Sequence, residues 1–171
     1  SAAHLGVEKI DLYQVHWPNP IVPSSTTMQG MRKLVDAGVV NHVGVSNFPL
    51  GKWQQAEREL GGPVLSNQVQ YSLAARKPDR ELVPWAQAND RIVIAYSPLA
   101  QGLLSARYNG TNNPGGVRAG NRLFLPENIE RALARYGSNL GDVARAVPLV
   151  AAALSTRHAG IGQTVIVGRL G

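Results

Sequence analysis

The 171-residue chain contains no cysteine. Neither a disulfide scaffold nor a thiolate zinc site can be built from it, and a reducing compartment suits it. Acidic residues are scarce: 11 Asp and Glu stand against 17 Lys and Arg, for a net charge of +6. Charged residues make up 16% of the chain and aromatic ones 6%, against 44% hydrophobic. That apolar share excludes a fully disordered chain. Long apolar runs are missing as well. The longest, residues 143–154, is interrupted by Arg145, and it falls short of the roughly 20 residues a membrane helix needs. The opening SAAHLGVEKI shows no basic stretch ahead of an apolar one. No signal peptide is therefore expected, and a cytoplasmic location is.

The shortage of acids is local. Residues 1–90 hold eight Lys and Arg and eight Asp and Glu, which cancel. Residues 91–171 hold nine Arg, no Lys and three acids, Glu127, Glu130 and Asp142, so the whole excess lies there. Two readings stand. One is an anionic ligand held by that half; the other is a solvated, Arg-rich surface. Nucleic acid is not expected, because the Arg residues stand singly and no aromatics are interleaved with them.

What is present is an alternation of short apolar runs and longer amphipathic ones. Residues 10–18 read as a strand closed by Pro18 and the turn-prone Asn19-Pro20. Residues 28–37 read as a helix with Met28, Met31, Leu34 and Val35 at helical spacing and Gly38 as its C-cap. Strand 42–46, helix 50–60, strand 63–70, helix 79–88 with Asp79 as N-cap, and strand 91–96 follow. Repeated strand–helix units argue for a parallel sheet, either doubly wound or a (β/α)₈ barrel. Residues 97–125 are rich in Gly, Asn and Pro and read as a long irregular loop. Beyond it, helices over 126–136 and 143–155 and a last strand over 164–168 are expected. The chain reads as one domain: motif-rich to residue 105, with a divergent tail from 126.

The strand ends carry the chemistry. The first ends in His16, the second in Ser46-Asn47, the third has Gln68 near its end, and the fourth ends in Tyr96-Ser97. In parallel α/β folds such ends converge on one site, and four polar ends on four successive strands favour a ligand site. Each residue also has a plainer reading. His16 suits a buried histidine satisfied by backbone, Gln68 and Ser66 suit packed polar residues of a barrel interior, and Tyr96 suits core packing. His4, His42 and His158 lack metal-ligand spacing, so no metal site is expected.

Four stretches together are specific. They are Asp11-Leu12-Tyr13-Gln14-Val15-His16-Trp17-Pro18; Leu34-Val35-Asp36-Ala37-Gly38 leading to Val43-Gly44-Val45-Ser46-Asn47-Phe48; Asn67-Gln68-Val69-Gln70-Tyr71-Ser72; and Ala95-Tyr96-Ser97-Pro98-Leu99-Ala100-Gln101-Gly102-Leu103-Leu104. In this order and spacing, residues 1–105 resemble the aldo-keto reductase family, NADP(H)-dependent (β/α)₈ barrels that reduce aldehydes and ketones. The resemblance implies that His16 hydrogen-bonds the substrate carbonyl and that Trp17 walls the substrate pocket. It implies that Ser46, Asn47 and Gln68 hold the nicotinamide carboxamide and that Tyr96 stacks on the ring. Ser97, Leu99 and Gln101 would lie along the pyrophosphate. Arg169 would reach the 2′-phosphate, although a solvated side chain near the chain end is its plainer reading. The physics agrees: hydride transfer needs one face of the nicotinamide fixed against the carbonyl, with donors aimed at the oxygen that gains charge.

The resemblance also implies what the chain lacks. The family's catalytic Asp, Tyr and Lys precede the strand that ends in the histidine. Here nine residues precede that strand, with Lys9 but no Tyr or Asp. The expectation is an N-terminally truncated, partial TIM barrel, roughly strands 4–8 with their helices, against about 250 residues for a whole barrel. General acid catalysis is worth about 10² to 10⁴ in rate, so the chain alone is expected to be inactive. Its partners would be a small carbonyl substrate and possible second chain completing the barrel, with neither nucleic acid nor membrane. The alternatives are a non-catalytic nucleotide-binding half-barrel and an interaction protein that keeps only the scaffold.

Overall fold

The computed structural model describes residues 6–105, 108, 112 and 114–136. The helix expected over 143–155, the strand expected over 164–168 and Arg169 lie outside the described residues. In chain order the elements are β1 (Ile10–Val15), α1 (Ser24–Asp36), β2 (Val40–Ser46), α2 (Leu50–Leu60), β3 (Val64–Gln70), α3 (Leu82–Ala88), β4 (Ile92–Tyr96) and α4 (Pro126–Tyr136). The strands form one sheet in the order β1-β2-β3-β4, with β1, β2 and β3 parallel. Strands adjacent in sequence are adjacent in the sheet, each joined to the next through a helix, as parallel pairing requires. Among the described residues, one compact unit comprises residues 6–69 and 78–94, and a second comprises residues 70–77 and those from 95 onward.

The sequence periodicity and the helix limits differ in instructive ways. α1 starts four residues earlier than its apolar spacing suggests, at Ser24. Its first turn is the polar Ser24-Ser25-Thr26-Thr27, invisible to an apolar pattern, and Pro23 precedes it with its carbonyl accepting from Thr26 N and Thr27 N. At the other end Ala37 is the cap and Gly38 follows it at φ +70°. Gly38 N donates to Val35 O at 2.9 Å and Val39 N to Leu34 O at 3.0 Å. Only glycine takes that left-handed φ without steric cost, and it turns the chain straight into β2.

The helix expected over 79–88 is a correction. Residues Lys77–Arg80 form a separate 3-10 turn, α3 begins at Leu82, and its cap is Glu81, which makes no side-chain cap bond. Asp79 lies inside the turn, not at the helix start. Pro84 is the reason. A proline ring collides with the carbonyl four residues back, so Pro84 is tolerated only in the first turn of a helix. The first strand is shorter than expected too, ending at Val15 rather than running to Pro18.

The core of the first unit lies between the sheet and helices α1 and α2. Met28, Val43, Val45, Trp53, Ala56 and Val64 are fully buried. Trp53 stacks edge-on against Trp85 at 4.9 Å, and its indole N–H donates to Val64 O at 2.9 Å. A buried indole needs such a partner. Glu57 on α2 accepts from Val64 N at 3.1 Å and pairs with Arg91 just before β4, so one half-buried carboxylate ties α2 to the starts of two strands. The second unit has its own core of Ala100, Leu103, Leu104, Tyr108, Phe124, Ile129 and Ala132. Among its described residues the long loop carries 3-10 turns at Ala100–Ser105, Gly116–Arg118 and Arg122–Phe124, and the first and last of these pack against α4.

Candidate active site

The register decides which side chains meet. Gln14 on β1 pairs with Gly44 on β2, and Gly44 with Ser66 on β3. Ser46 pairs with Gln68. Side chains alternate across a strand. Gln14, Gly44, Ser46, Ser66 and Gln68 therefore share one face, and Val43, Val45 and Asn67 point to the other. On the first face Gln14 Nε2 donates to Ser66 Oγ at 3.1 Å, passing over Gly44. A Cβ on Gly44 would strike Ser66 Oγ and would lie 2.9 Å from Gln14 Cγ. The glycine between two valines is thus a bridge site for its neighbours.

The ends of β2 and β3 are locked together. The Gln68 carbonyl accepts from Ser46 Oγ at 2.9 Å and from Asn47 N at 2.8 Å. Asn47 Nδ2 donates to Ser46 Oγ at 3.0 Å. Asn47 stands at φ +60°, a conformation asparagine adopts more readily than most residues. One residue on, Asn67 grips Phe48 from below: its Nδ2 donates to Phe48 O at 2.8 Å and its Oδ1 accepts from Phe48 N at 3.4 Å. Asn67 is fully buried. The sequence reading named Ser46, Asn47 and Gln68, and the structure brings these three together. It missed Gln14, Ser66 as a bonding partner, and Asn67. The glycine between two valines in β2 was the available signal for the first two.

Gln68 is half-buried, and its side-chain amide makes no hydrogen bond among the described residues. A primary amide presents one acceptor and two donors, the complement of another carboxamide. Ser46 Oγ keeps one lone pair. His16 follows β1 and is exposed, its ring bonded to nothing among the described residues and lying 6.2 Å from the ring of Trp17. Trp17 is itself 56% exposed. The plainer reading of His16, a buried histidine satisfied by backbone, does not hold.

In the second unit Tyr96 ends β4, its carbonyl accepting from Tyr71 N at 3.4 Å. The segment after it is contorted: Ser97, Ala100 and Gln101 all have φ between +49° and +58°. Three non-glycine residues in left-handed conformations cost energy and persist only where surroundings hold them, a pattern that clusters at ligand sites. Ala100 N donates to Ser97 O at 2.8 Å, and Gly102 N and Leu104 N both donate to Leu99 O. The side chain of Leu99 is half-buried and that of Gln101 exposed.

A cleft of about 410 Å³ opens elsewhere, between the starts of α1 and α2. Val15, Met28, Phe48, Lys52 and Glu59 are among its walls, and none of the site residues named from the sequence lines it. It lies on the helix side of the sheet, where Val15 and Val45 point, and away from the face that carries Gln14, Ser46 and Gln68. No helix of the described residues is long and apolar enough to cross a membrane.

Residues 1–158 match the Aldo/keto reductase family model. An uncharacterized oxidoreductase of Mycobacterium tuberculosis is 54% identical over 131 residues, covering 77% of this chain and 41% of that protein. The NADH-specific methylglyoxal reductase of Escherichia coli is 30% identical over 136 residues, covering 78% and 41%. Among solved structures, a glycerol dehydrogenase from Gluconobacter oxydans superposes with a TM-score of 0.71 at 30% identity, over 78% of this chain and 41% of that one. An aldo/keto reductase from Klebsiella pneumoniae, solved with NADP and acetate, superposes with a TM-score of 0.52 at 31% identity, over 78% and 43%. The chain thus spans about 41% of the length of these curated relatives, and its parallel strands and helices form part of a (β/α)₈ barrel. Sequence, strand order and backbone superposition agree: the chain belongs to the aldo/keto reductase family of oxidoreductases.

Proposed function

We propose that this chain carries the cofactor-holding and carbonyl-orienting part of an NADP(H)-dependent reductase of aldehydes or ketones. The observation that carries the reading is the Ser46–Asn47–Gln68 cluster, a locked backbone beside a half-buried primary amide with no hydrogen bond among the described residues. Bound NADP(H) would supply the hydride. Gln68 would exchange two hydrogen bonds with the nicotinamide carboxamide, Ser46 and Asn47 flanking it, and Tyr96 would stack on the ring. Ser97, Leu99 and Gln101 would follow the diphosphate, and Arg169 the 2′-phosphate. His16 would donate to the substrate oxygen, and Trp17 would wall the pocket. The choice of NADP(H) over NAD(H) leans on the family resemblance and on Arg169, and the Arg-rich last 81 residues suit a cofactor with several phosphate charges. The partner in this reading is a small carbonyl compound in the cytoplasm, with neither nucleic acid nor membrane. A second chain would complete the barrel.

None of the matched motifs contains a tyrosine and lysine pair able to donate a proton, so we propose that the 171-residue chain binds cofactor without turnover. Titration of tryptophan fluorescence with NADPH, and with NADH for comparison, tests the first part. Quenching that saturates, and that Gln68→Ala weakens, supports it; no quenching by millimolar NADPH overturns it. Aldehyde-dependent NADPH oxidation above that of a His16→Ala control would overturn the second part.

A further inference from the structure

Gln101 is a primary amide whose two ends are chemically opposite. Its use depends on which end faces out, and a third residue settles that. Asn121 Oδ1 accepts from Leu123 N at 3.0 Å, closing the turn Arg122–Phe124. A backbone N–H can only donate, so the atom it meets is the oxygen, and the remaining end of Asn121 is Nδ2. That Nδ2 donates to Gln101 Oε1 at 3.1 Å. The Gln101 acceptor is thereby taken, and its Nε2 is left as a donor with no partner among the described residues. The polarity runs in one direction from Leu123 N through two amides to Gln101 Nε2.

The two turns are held against each other by the second unit's core. Ala100, Leu103 and Leu104 from one and Phe124 from the other are all buried in it, and Phe124 stacks edge-on against Tyr108 at 5.1 Å. Phe124 N donates to Asn121 O at 2.9 Å, and Asn128 Nδ2 to Arg122 O at 2.8 Å, so Asn121 is itself well fixed.

We propose that Asn121 is a positioning residue that sets the Gln101 side chain as a donor toward an anionic group, the diphosphate of the dinucleotide. The inference rests on the function proposed above. Asn121→Asp tests it. The carboxylate keeps the bond from Leu123 N but has no hydrogen for Gln101. The Gln101 amide then turns over to donate inward, and its oxygen faces the phosphates. Binding of NADPH, followed by tryptophan fluorescence on the 171-residue chain, weakens about tenfold or more, the scale of a lost hydrogen bond to a charged group. Gln101→Ala alone weakens binding similarly. The added negative charge at position 121 is controlled by the double variant. In the Gln101→Ala background Asn121→Asp changes binding by less than about twofold, since exposed charges are screened. Near-ultraviolet circular dichroism stays that of the parent. Unchanged binding by Asn121→Asp, or an equal loss with and without Gln101, overturns the proposal alone. Absence of NADPH binding by the parent chain overturns the proposed function and this inference with it.

Discussion

Gly44→Ala is the substitution whose outcome the geometry constrains most. Position 44 has ordinary extended backbone, so alanine there meets no conformational strain, and by propensity alone it would gain about 0.5–1 kcal/mol over glycine. The contacts say otherwise. The new methyl would strike Ser66 Oγ and stand 2.9 Å from Gln14 Cγ. Ser66 is fully buried and Gln14 half-buried, so neither side chain has open space to turn into. Overpacking of this kind costs about 1–3 kcal/mol. Pushing Ser66 and Gln14 apart also breaks their hydrogen bond, worth about 0.5–1.5 kcal/mol. The net expectation is a loss of about 1–3 kcal/mol, or a melting temperature lower by roughly 2–12 °C for a chain of this size. Thermal and urea unfolding followed by tryptophan fluorescence read it, since Trp53 is fully buried. Ser66→Ala alone loses the bond from Gln14 and costs about 0.5–1.5 kcal/mol, and in the Gly44→Ala background it removes the struck oxygen and restores part of the loss. The double variant is therefore more stable than additivity predicts, by about 1 kcal/mol. A Gly44→Ala chain as stable as the parent, or strictly additive losses, would refute the reasoning.

Two further substitutions separate stability from function. Asn67→Ala leaves the buried Phe48 amide and carbonyl unpaired and is expected to cost about 2–4 kcal/mol by urea unfolding, with weaker NADPH quenching because Asn47 loses its support; a loss under about 1 kcal/mol would show that water replaces both bonds. His16→Ala removes an exposed ring with no hydrogen bond among the described residues, so its unfolding midpoint should correspond to a change within about 0.5 kcal/mol, and a larger loss would mean that His16 is structural.

The candidate site divides along the same line. Ser46, Asn47, Gln68 and His16 were legible because they stand at the ends of strands whose apolar alternation and glycine stops are local signals. The shared face of Gln14 and Ser66 was not, because it needs the offset of β1 against β3, and that offset includes an irregularity between Val43 and Gly44 in the β2–β3 pairing. The start of α3 was misread since Asp79 carries a cap signature, while the steric veto came from Pro84 five residues later. The pairing of Gln101 with Asn121 joins residues 20 apart through a loop with no period at all.

The chain's sequence by itself determined the alternation of strands and helices, the turn at Gly38, and the polar residues at the strand ends, because each follows from backbone sterics and periodicity within a few residues. Only the tertiary structure decided that Gln14 and Ser66 meet over Gly44, that Asn67 holds Phe48, that Ser97, Ala100 and Gln101 sit in left-handed conformations, and which end of Gln101 is free. Those outcomes depend on strand register and on hydrogen bonds between distant segments. Their energies are set by ångström-scale distances that composition and spacing do not encode.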